Sequence, residues 1–304
     1  MQNVCVAFDI GATNIKIATV DKEGHLENFS LRPTPSGRGP RYLVNQLESI
    51  YKELSTDQRL PVAISCAGPL DPVAGKFLTP ANFNSMEKEW INFPLKDELK
   101  KKIQCEVNVE NDAAASALGE YWYGNWPQQD HLLSITLGTG VGVGVISHGQ
   151  LQRSAGGLHP ELGHMVIMTN GESESEEKSL ESFLGPKFFL SHLADKLQLE
   201  EFDDDSLNKH LRDKNAIVDE AMKKYLQILE LGLANLFLVY GSRQIVFSGG
   251  FSTVLAPYLQ TLEKKLHTRL TVFSRSSSDL PVLNLSNLSR TAGLYGAAYA
   301  FFRS

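Results

Sequence analysis

An α/β protein built from two related halves is the fold class this sequence predicts, on three observations. Short apolar runs of the buried-strand type alternate with segments of helical period along the 304 residues. A strand, a glycine turn and a second strand open the chain, and the same succession returns at its middle. Glycine-bearing turns follow four separate strands.

The first element is Val4 to Ile10, closed by the polar turn Asp9-Ile10-Gly11-Ala12-Thr13-Asn14 and resumed as Ile15 to Val20, which predicts a β-hairpin. A third strand is expected at Leu26 to Leu31. From Arg41 to Leu54 the apolar residues Leu43, Val44, Leu47, Ile50, Tyr51 and Leu54 recur at the 3.6-residue period of an amphipathic helix. Val62 to Cys66 is a buried-type strand ending in the turn formers Ala67-Gly68-Pro69-Leu70-Asp71-Pro72. Leu95 to Ile103 reads as helix, Glu106 to Val109 as strand, and Asp112 to Tyr123 as an alanine-rich helix with Asn111 or Asp112 at its N-terminus. The second half begins with the strand Leu132 to Thr136, the turn Gly138-Thr139-Gly140 and the strand Val141 to Ile146. It continues through a long helix from Ala216 to Tyr240, the strand Gln244 to Phe247 with Ser248-Gly249-Gly250 behind it, a strand at Val282 to Leu285, and a helix from Thr291 to Phe302. The acid-rich stretches Glu172 to Glu177 and Glu200 to Asp205 are expected to be solvated loops, because like charges this dense disfavour packing.

Composition narrows the function. With 42% apolar residues the chain is long enough for one large or two ordinary domains. Its 29 basic and 35 acidic residues give a net charge of −6, and no long basic run exists to neutralise a phosphate backbone, so a small-molecule ligand is expected rather than nucleic acid. Cys5, Cys66 and Cys105 are odd in number and widely spaced, which reads as reduced core thiols and a cytoplasmic address. The N-terminus lacks a basic segment and cleavage site, and no stretch of about 18 apolar residues occurs, so neither export nor a membrane span is expected.

A glycine turn at a strand end lets backbone approach a phosphate closely, and free N–H groups beside a threonine hydroxyl supply neutral donors to it. One such turn is ordinary; an acid-Gly-Thr hairpin in one half and a Gly-Thr-Gly hairpin in the other is far more specific. Together with the Asn111-Asp112 pair, Leu137-Gly138-Thr139-Gly140-Val141-Gly142, Glu161-Leu162-Gly163-His164 and Ser248-Gly249-Gly250, they stand in the order found in the ROK (repressor, open reading frame, kinase) family of sugar kinases. The resemblance runs from Val4 to about Ala300, and the Glu-x-Gly-His element is its most specific part.

That resemblance implies the actin-like, ribonuclease H-like ATPase fold with ATP in an interdomain cleft. The domains expected are a small N-terminal one of residues 1–118 with 290–304 and a larger C-terminal one of residues 119–289. It implies Asp112 as the base that takes the proton of the attacking sugar hydroxyl, against the plain alternative that Asp112 is a helix cap. Asp9 resembles the acid that holds Mg²⁺ through water, an ion that keeps most of its own waters and phosphate oxygens. Thr13 and Thr139 resemble phosphate donors, with Gly11, Gly138, Gly140, Gly249 and Gly250 shaping the nucleotide turns. Glu161, His164 and Glu181 resemble holders of sugar hydroxyls, and Asn111 and Gly68 further sugar contacts; Asn82 is a looser match. Lys16, just past the first turn, is given no role.

Two departures stand out. Family members mostly carry a zinc loop after the Glu-x-Gly-His element, with three cysteines and that histidine as ligands. Here residues 165–180 contain no cysteine, so no structural zinc is expected. His159-Pro160 before Glu161 is similar to the fructokinase branch, whereas Glu110-Asn111-Asp112-Ala113 is the spelling of the glucose and N-acetylmannosamine branches. A hexokinase, glucokinase first, with ATP and Mg²⁺ is the expectation. Only eight residues precede Asp9, leaving no winged-helix domain of the kind the family's repressors carry there, and a dead sugar-binding module would be expected to lack Asp9 or Asp112. Such kinases are often homodimers, and the helix Ala216 to Tyr240 is a candidate interface or a core element.

Overall fold

A computed structural model describes residues 3–55, 59–79, 87–127, 130–169 and 177–303. Its contacts divide the chain into two units. The first comprises Met1–Trp126, Gln150–Pro160 and Leu288–Ser304, and the second Pro127–Gly149 and Glu161–Asn287.

The first unit is organised by side-chain volume along its opening strand, β1 (Val4–Ile10). Val6, Phe8 and Ile10 point to one face, where they join Leu43, Val44 and Leu47 of helix α1 (Pro40–Leu54) and the fully buried Trp90. The intervening Cys5 and Ala7 are small, and the helix that ends the chain packs on them through Leu294, Ala297 and Ala298. Alternation of large and small residues therefore sets how near each layer lies. β1 pairs antiparallel with β2 (Asn14–Asp21), which pairs antiparallel with β3 (Leu26–Pro33) at the exposed edge. On its other side β1 is parallel to β4 (Val62–Cys66), and β4 to β5 (Val107–Asn111). The sheet order is β3-β2-β1-β4-β5. Helix α2 (Leu95–Ile103) adds Leu95, Leu99 and Ile103 to the core. Helix α3 (Asp112–Tyr123) follows β5 directly.

In the second unit β6 (His131–Leu137) and β7 (Val141–Ser147) form the hairpin, and β6 is parallel to β8 (Gln244–Ser248), which is parallel to β9 (Val282–Leu285). The order β7-β6-β8-β9 repeats β2-β1-β4-β5, so the two halves expected from the paired glycine hairpins share one wiring. Helix α4 (Leu180–Leu184) and the next helix, α5 (Pro186–Leu197), contribute Leu180, Leu184, Phe189 and Leu193 to its core.

Helix α6 (Asp204–Arg212) corrects one expectation, since the acidic run Glu200 to Asp205 is not wholly loop. Asp203 caps the helix by accepting from the Ser206 N–H at 2.8 Å, Asp204 and Asp205 occupy the first turn, and Phe202 is buried beside them. Acids at a helix start complement its positive end, so charge density that argues against packing argues here for a cap. The other acidic run lies almost wholly outside the described residues, as does Asn82. The long helix α7 (Ala216–Tyr240) is core along one face, burying Met222, Tyr225, Leu229, Leu233 and Phe237. It leaves Leu231, Leu238 and Val239 exposed. Helix α8 (Leu259–Leu270) completes this unit.

The last helix, α9 (Ala292–Arg303), lies against α3 at backbone contact distance. A Cβ on Gly296 would overlap the Ala115 carbonyl, and one on Gly119 would overlap that of Ala292. Replacing Gly296 with Ala gains roughly 1 kcal/mol of helix propensity. Against this stands a clash with unyielding backbone at the crossing, of about 3 kcal/mol or more. Gly296→Ala is therefore expected to lower unfolding free energy by at least about 2 kcal/mol in urea titration. A change within about 0.5 kcal/mol, the range of an ordinary surface substitution, would contradict the close crossing.

Candidate active site

Strand register assembles the first unit's candidate residues. Ile10 pairs with Cys66, and Cys66 with Asn111, so Asp9, Gly68 and Asp112 all fall near the carboxyl ends of three adjacent parallel strands. Open α/β sheets bind ligands at such an edge.

Asn111, not Asp112, is the cap of α3. Its side-chain oxygen accepts from the N–H groups of Ala113 and Ala114 at 2.9 and 3.1 Å, and its amide donates to the Gly68 carbonyl at 3.4 Å. Gly68 reaches that position with φ of +97°, where a side chain would be strained. Asp112 is thereby released from the capping task. It occupies the first helical position, half-buried, with one carboxylate oxygen on the Ala113 N–H at 2.9 Å. Both it and Asp9 stand close enough to the buried Cys66 to add to the burial that holds that thiol well above its ordinary pKa.

Asp9 is only 7% exposed, and both of its oxygens are engaged. Ser65 Oγ donates to Oδ1 at 2.7 Å, and Lys16 Nζ lies 2.6 Å from Oδ2. Gly293 packs beneath, where a Cβ would come within 2.7 Å of the carboxylate. A carboxylate so occupied suits a metal held through an intervening water, not one bound directly. Lys16, assigned no role above, is Asp9's cross-strand partner. The signal was present: a hairpin turning at residues 11–14 puts positions 9 and 16 opposite each other on one face. The turn itself is tied down by Thr34, which donates to the Gly11 carbonyl from its hydroxyl at 2.7 Å and to the Thr13 carbonyl from its N–H at 2.8 Å. The Thr13 side chain is left exposed.

Glu110 and Arg153 were not foreseen. Glu110, 3% exposed, directly precedes Asn111 and accepts the Asn111 N–H at 3.0 Å. Both terminal nitrogens of Arg153 grip its carboxylate, Nη1 at 3.2 Å, and Nη1 also reaches the Gly157 carbonyl at 3.2 Å. Residues 43 apart give no local pattern to read. Beyond Gly157 lies His159, 8% exposed, with Nδ1 buried and without a hydrogen bond. Burial, with the Arg153 charge adding to it, pushes its pKa down to about 4.

In the second unit, Thr136 pairs with Ser248, so the turn Gly138-Thr139-Gly140 and the pair Gly249-Gly250 emerge side by side at strand ends. Gly249, with φ of +87°, presses on Leu137 so closely that a Cβ would collide with its carbonyl. Gly138 and Gly250 face open space, and Thr139 is exposed. Glu161 leads a single turn, Leu162–His164, in which the His164 N–H returns to the Glu161 carbonyl at 3.0 Å. Glu161 and His164 are both exposed residues. Desolvation around the Glu161 carboxyl raises its pKa; nearby His164 pulls the other way and Glu181 adds to the rise. Glu181 sits in the first turn of α4, capped by Ser179. Of the three residues expected to hold sugar hydroxyls, Glu161 thus feels both of the others, and Glu181 also accepts the Val141 N–H at 2.8 Å.

Among the described residues, no group of three or more His, Cys, Asp or Glu is placed to hold a metal, and no helix is long and apolar enough to cross a membrane. All three cysteines are free and buried.

Two glycine hairpins on repeated sheets and an acid at the start of a helix define an ATPase-type α/β protein of the actin-like fold. The ROK family model matches residues 5–303, and the chain belongs to the ROK family. A glucokinase of Thermotoga maritima is 35% identical over 167 residues, which cover 55% of this chain and 51% of that protein. The chain therefore spans about half the length of that curated relative. Among solved structures, the ROK hexokinase from Thermus thermophilus superposes with a TM-score of 0.81 at 24% identity, covering 99% of this chain and 98% of that one. A ROK glucokinase from Streptomyces griseus in complex with glucose and AMPPNP gives 0.78 at 22%, covering 99% and 100%. At these identities the two structures speak to the fold.

Two outcomes are expected. Arg153→Met strands a buried carboxylate and should cost about 3 kcal/mol of stability, and adding Glu110→Gln should recover part of it. Additive losses in urea titration would contradict the pairing. His159 has a folded pKa near 4, below the ordinary value of about 6.5, so the unfolded chain binds the extra proton. Its contribution, on the order of 3 kcal/mol, is complete above about pH 6.5 and drains away as pH falls toward 4. His159→Phe should flatten that part of the stability profile; an unchanged slope between pH 6.5 and 4 would contradict the burial of a neutral imidazole.

Proposed function

We propose that this chain is a cytosolic ATP-dependent hexokinase, glucose being the preferred substrate, which transfers the γ-phosphoryl group to the 6-hydroxyl of a free hexose. The observation that carries the reading is the division of labour at the start of α3: Asn111 caps the helix and leaves the Asp112 carboxylate at a strand-end edge it shares with Asp9. The relatives add weight, since the aligned Thermotoga protein is named a glucokinase and the Streptomyces one was solved with glucose and an ATP analogue.

The chemistry assigned to each residue follows from phosphoryl transfer being mainly a matter of positioning and charge. Asp112 accepts the proton of the 6-hydroxyl as the bond from that oxygen to Pγ forms; the bond from Pγ to the β,γ-bridging oxygen breaks, and ADP leaves. Asp9 would hold, through its water shell, an Mg²⁺ brought in by the nucleotide, and that ion would supply neutralisation of the phosphate charge. Thr13, Thr139 and backbone N–H groups of the two glycine turns receive phosphate oxygens. Glu161, His164 and Glu181 receive sugar hydroxyls together with Asn111, each hydroxyl being both donor and acceptor. The transfer requires that water be kept from the γ-phosphate, since water would otherwise take the phosphoryl group.

A coupled ADP-release assay over glucose, fructose, mannose, N-acetylmannosamine and N-acetylglucosamine should give its highest kcat/KM with glucose. Highest turnover with fructose would instead follow the His159-Pro160 spelling, and ADP release indifferent to every sugar would sink the kinase reading. Asp112→Asn should lower kcat by about 100-fold or more while ATP affinity stays within about threefold. Normal turnover in that variant would remove the base.

A further inference from the structure

The turn Gly138-Thr139-Gly140 ends at Val141, and Val141 is gripped from two directions by the elements proposed to bind sugar. Glu181 Oε2 accepts its N–H at 2.8 Å. Gly163, inside Glu161-Leu162-Gly163-His164, packs on its carbonyl so tightly that a Cβ there would collide with the oxygen. Gly140 is equally constrained, because a Cβ on it would run into the Glu181 carboxylate. The Gly138 N–H on the Gly140 carbonyl at 3.2 Å and the Lys187 N–H on the Thr139 carbonyl at 3.4 Å also hold the turn. The 2.8 Å bond to the Glu181 carboxylate is shorter than either of these.

We propose that Glu181 is a positioning residue for the nucleotide as well as a sugar ligand: with one carboxylate oxygen it pins the phosphate turn, and with the other it receives a sugar hydroxyl. This rests on the kinase reading for its sugar half; the pinning of the turn stands on geometry alone. Two consequences follow. The turn is held in its phosphate-binding shape before any sugar arrives, so Glu181 contributes to ATP affinity in the sugar-free protein. A sugar hydroxyl on the second oxygen then fixes a half-buried side chain that had some freedom, stiffens the turn further, and tightens ATP. Linkage requires ATP to tighten sugar by the same factor, and couplings of this kind typically run from about 5-fold to 150-fold.

The test is nucleotide binding by calorimetry, with Mg²⁺ and the non-hydrolysable analogue AMPPNP and without sugar, to the full-length wild type, Glu181→Ala and Glu181→Gln. Glu181→Ala should weaken the nucleotide by about fivefold to tenfold, part of the energy of one charge-assisted hydrogen bond. Glu181→Gln, whose amide oxygen still accepts from Val141, should recover most of that loss. A residue that touched only sugar would leave sugar-free nucleotide affinity unchanged in both variants, and that result overturns the proposal. Hydrogen exchange at the Val141 amide supplies a readout needing neither ligand: slow in wild type and in Glu181→Gln, faster in Glu181→Ala. Equal exchange in all three overturns the pinning. Wild-type protein that binds no nucleotide would instead refute the kinase reading, with the exchange experiment still deciding the role of Glu181.

Discussion

Parallel strand register is the constraint on which the rest of this structure depends. Ile10, Cys66 and Asn111 occupy one row across three strands, and Thr136 and Ser248 occupy another. Every residue given a chemical role lies on one of those strand ends or on a segment bonded to one. Because side chains alternate between faces, a slip of one residue in β5 would turn Asn111 and Glu110 onto each other's sides and dissolve both the cap and the buried ion pair. The large-small alternation of β1 fixes the layers above and below that row. The glycine contacts between α3 and α9 then set how near the helix that starts at Asp112 lies to its neighbour.

Charge is handled by the same economy in several places. Each buried carboxylate on the first unit's strands has a cation or a hydroxyl of its own, Asp9 with Lys16 and Ser65, Glu110 with Arg153. Buried ions without such partners would be neutralised or destabilising. Asp112 stands at a helix start and not within a strand. It is half-buried and bonded to the helix N–H that follows it, with the capping work done by its neighbour. Glu161 differs again, with a pKa raised by desolvation and by the nearby Glu181, and lowered in part by His164. Three environments therefore separate these four acids, and the proposed function assigns them structural, metal-facing, proton-accepting and hydroxyl-binding parts.

Much of this was legible in the sequence, for reasons that can be named. Hairpins announce themselves through glycine turns between apolar runs, and the paired hairpins disclosed the repeated wiring that strand order now displays. The Asn111-Asp112 turn was legible as a helix start, but which residue capped it was not, since both types cap well and only the geometry of α3 decides. Glu110 with Arg153 was illegible because nothing local links them, and an acidic residue in a strand usually faces solvent. The helix beginning at Asp204 was missed for the opposite reason: a dense acidic run carries two meanings, solvated loop and helix N-terminus, and the buried Phe202 beside it was the clue that separates them.

The central claim is that one aspartate and two glycine hairpins move a phosphoryl group to a hexose primary alcohol. Phosphorus-31 NMR of the reaction mixture, with MgATP and glucose, tests it most directly. The account predicts a new monoester resonance coupled to the two protons on carbon 6, growing as the γ-phosphate signal of ATP declines, and absent when Asp112 is asparagine. Inorganic phosphate as the sole new signal, or a monoester formed equally well by the asparagine variant, would contradict it.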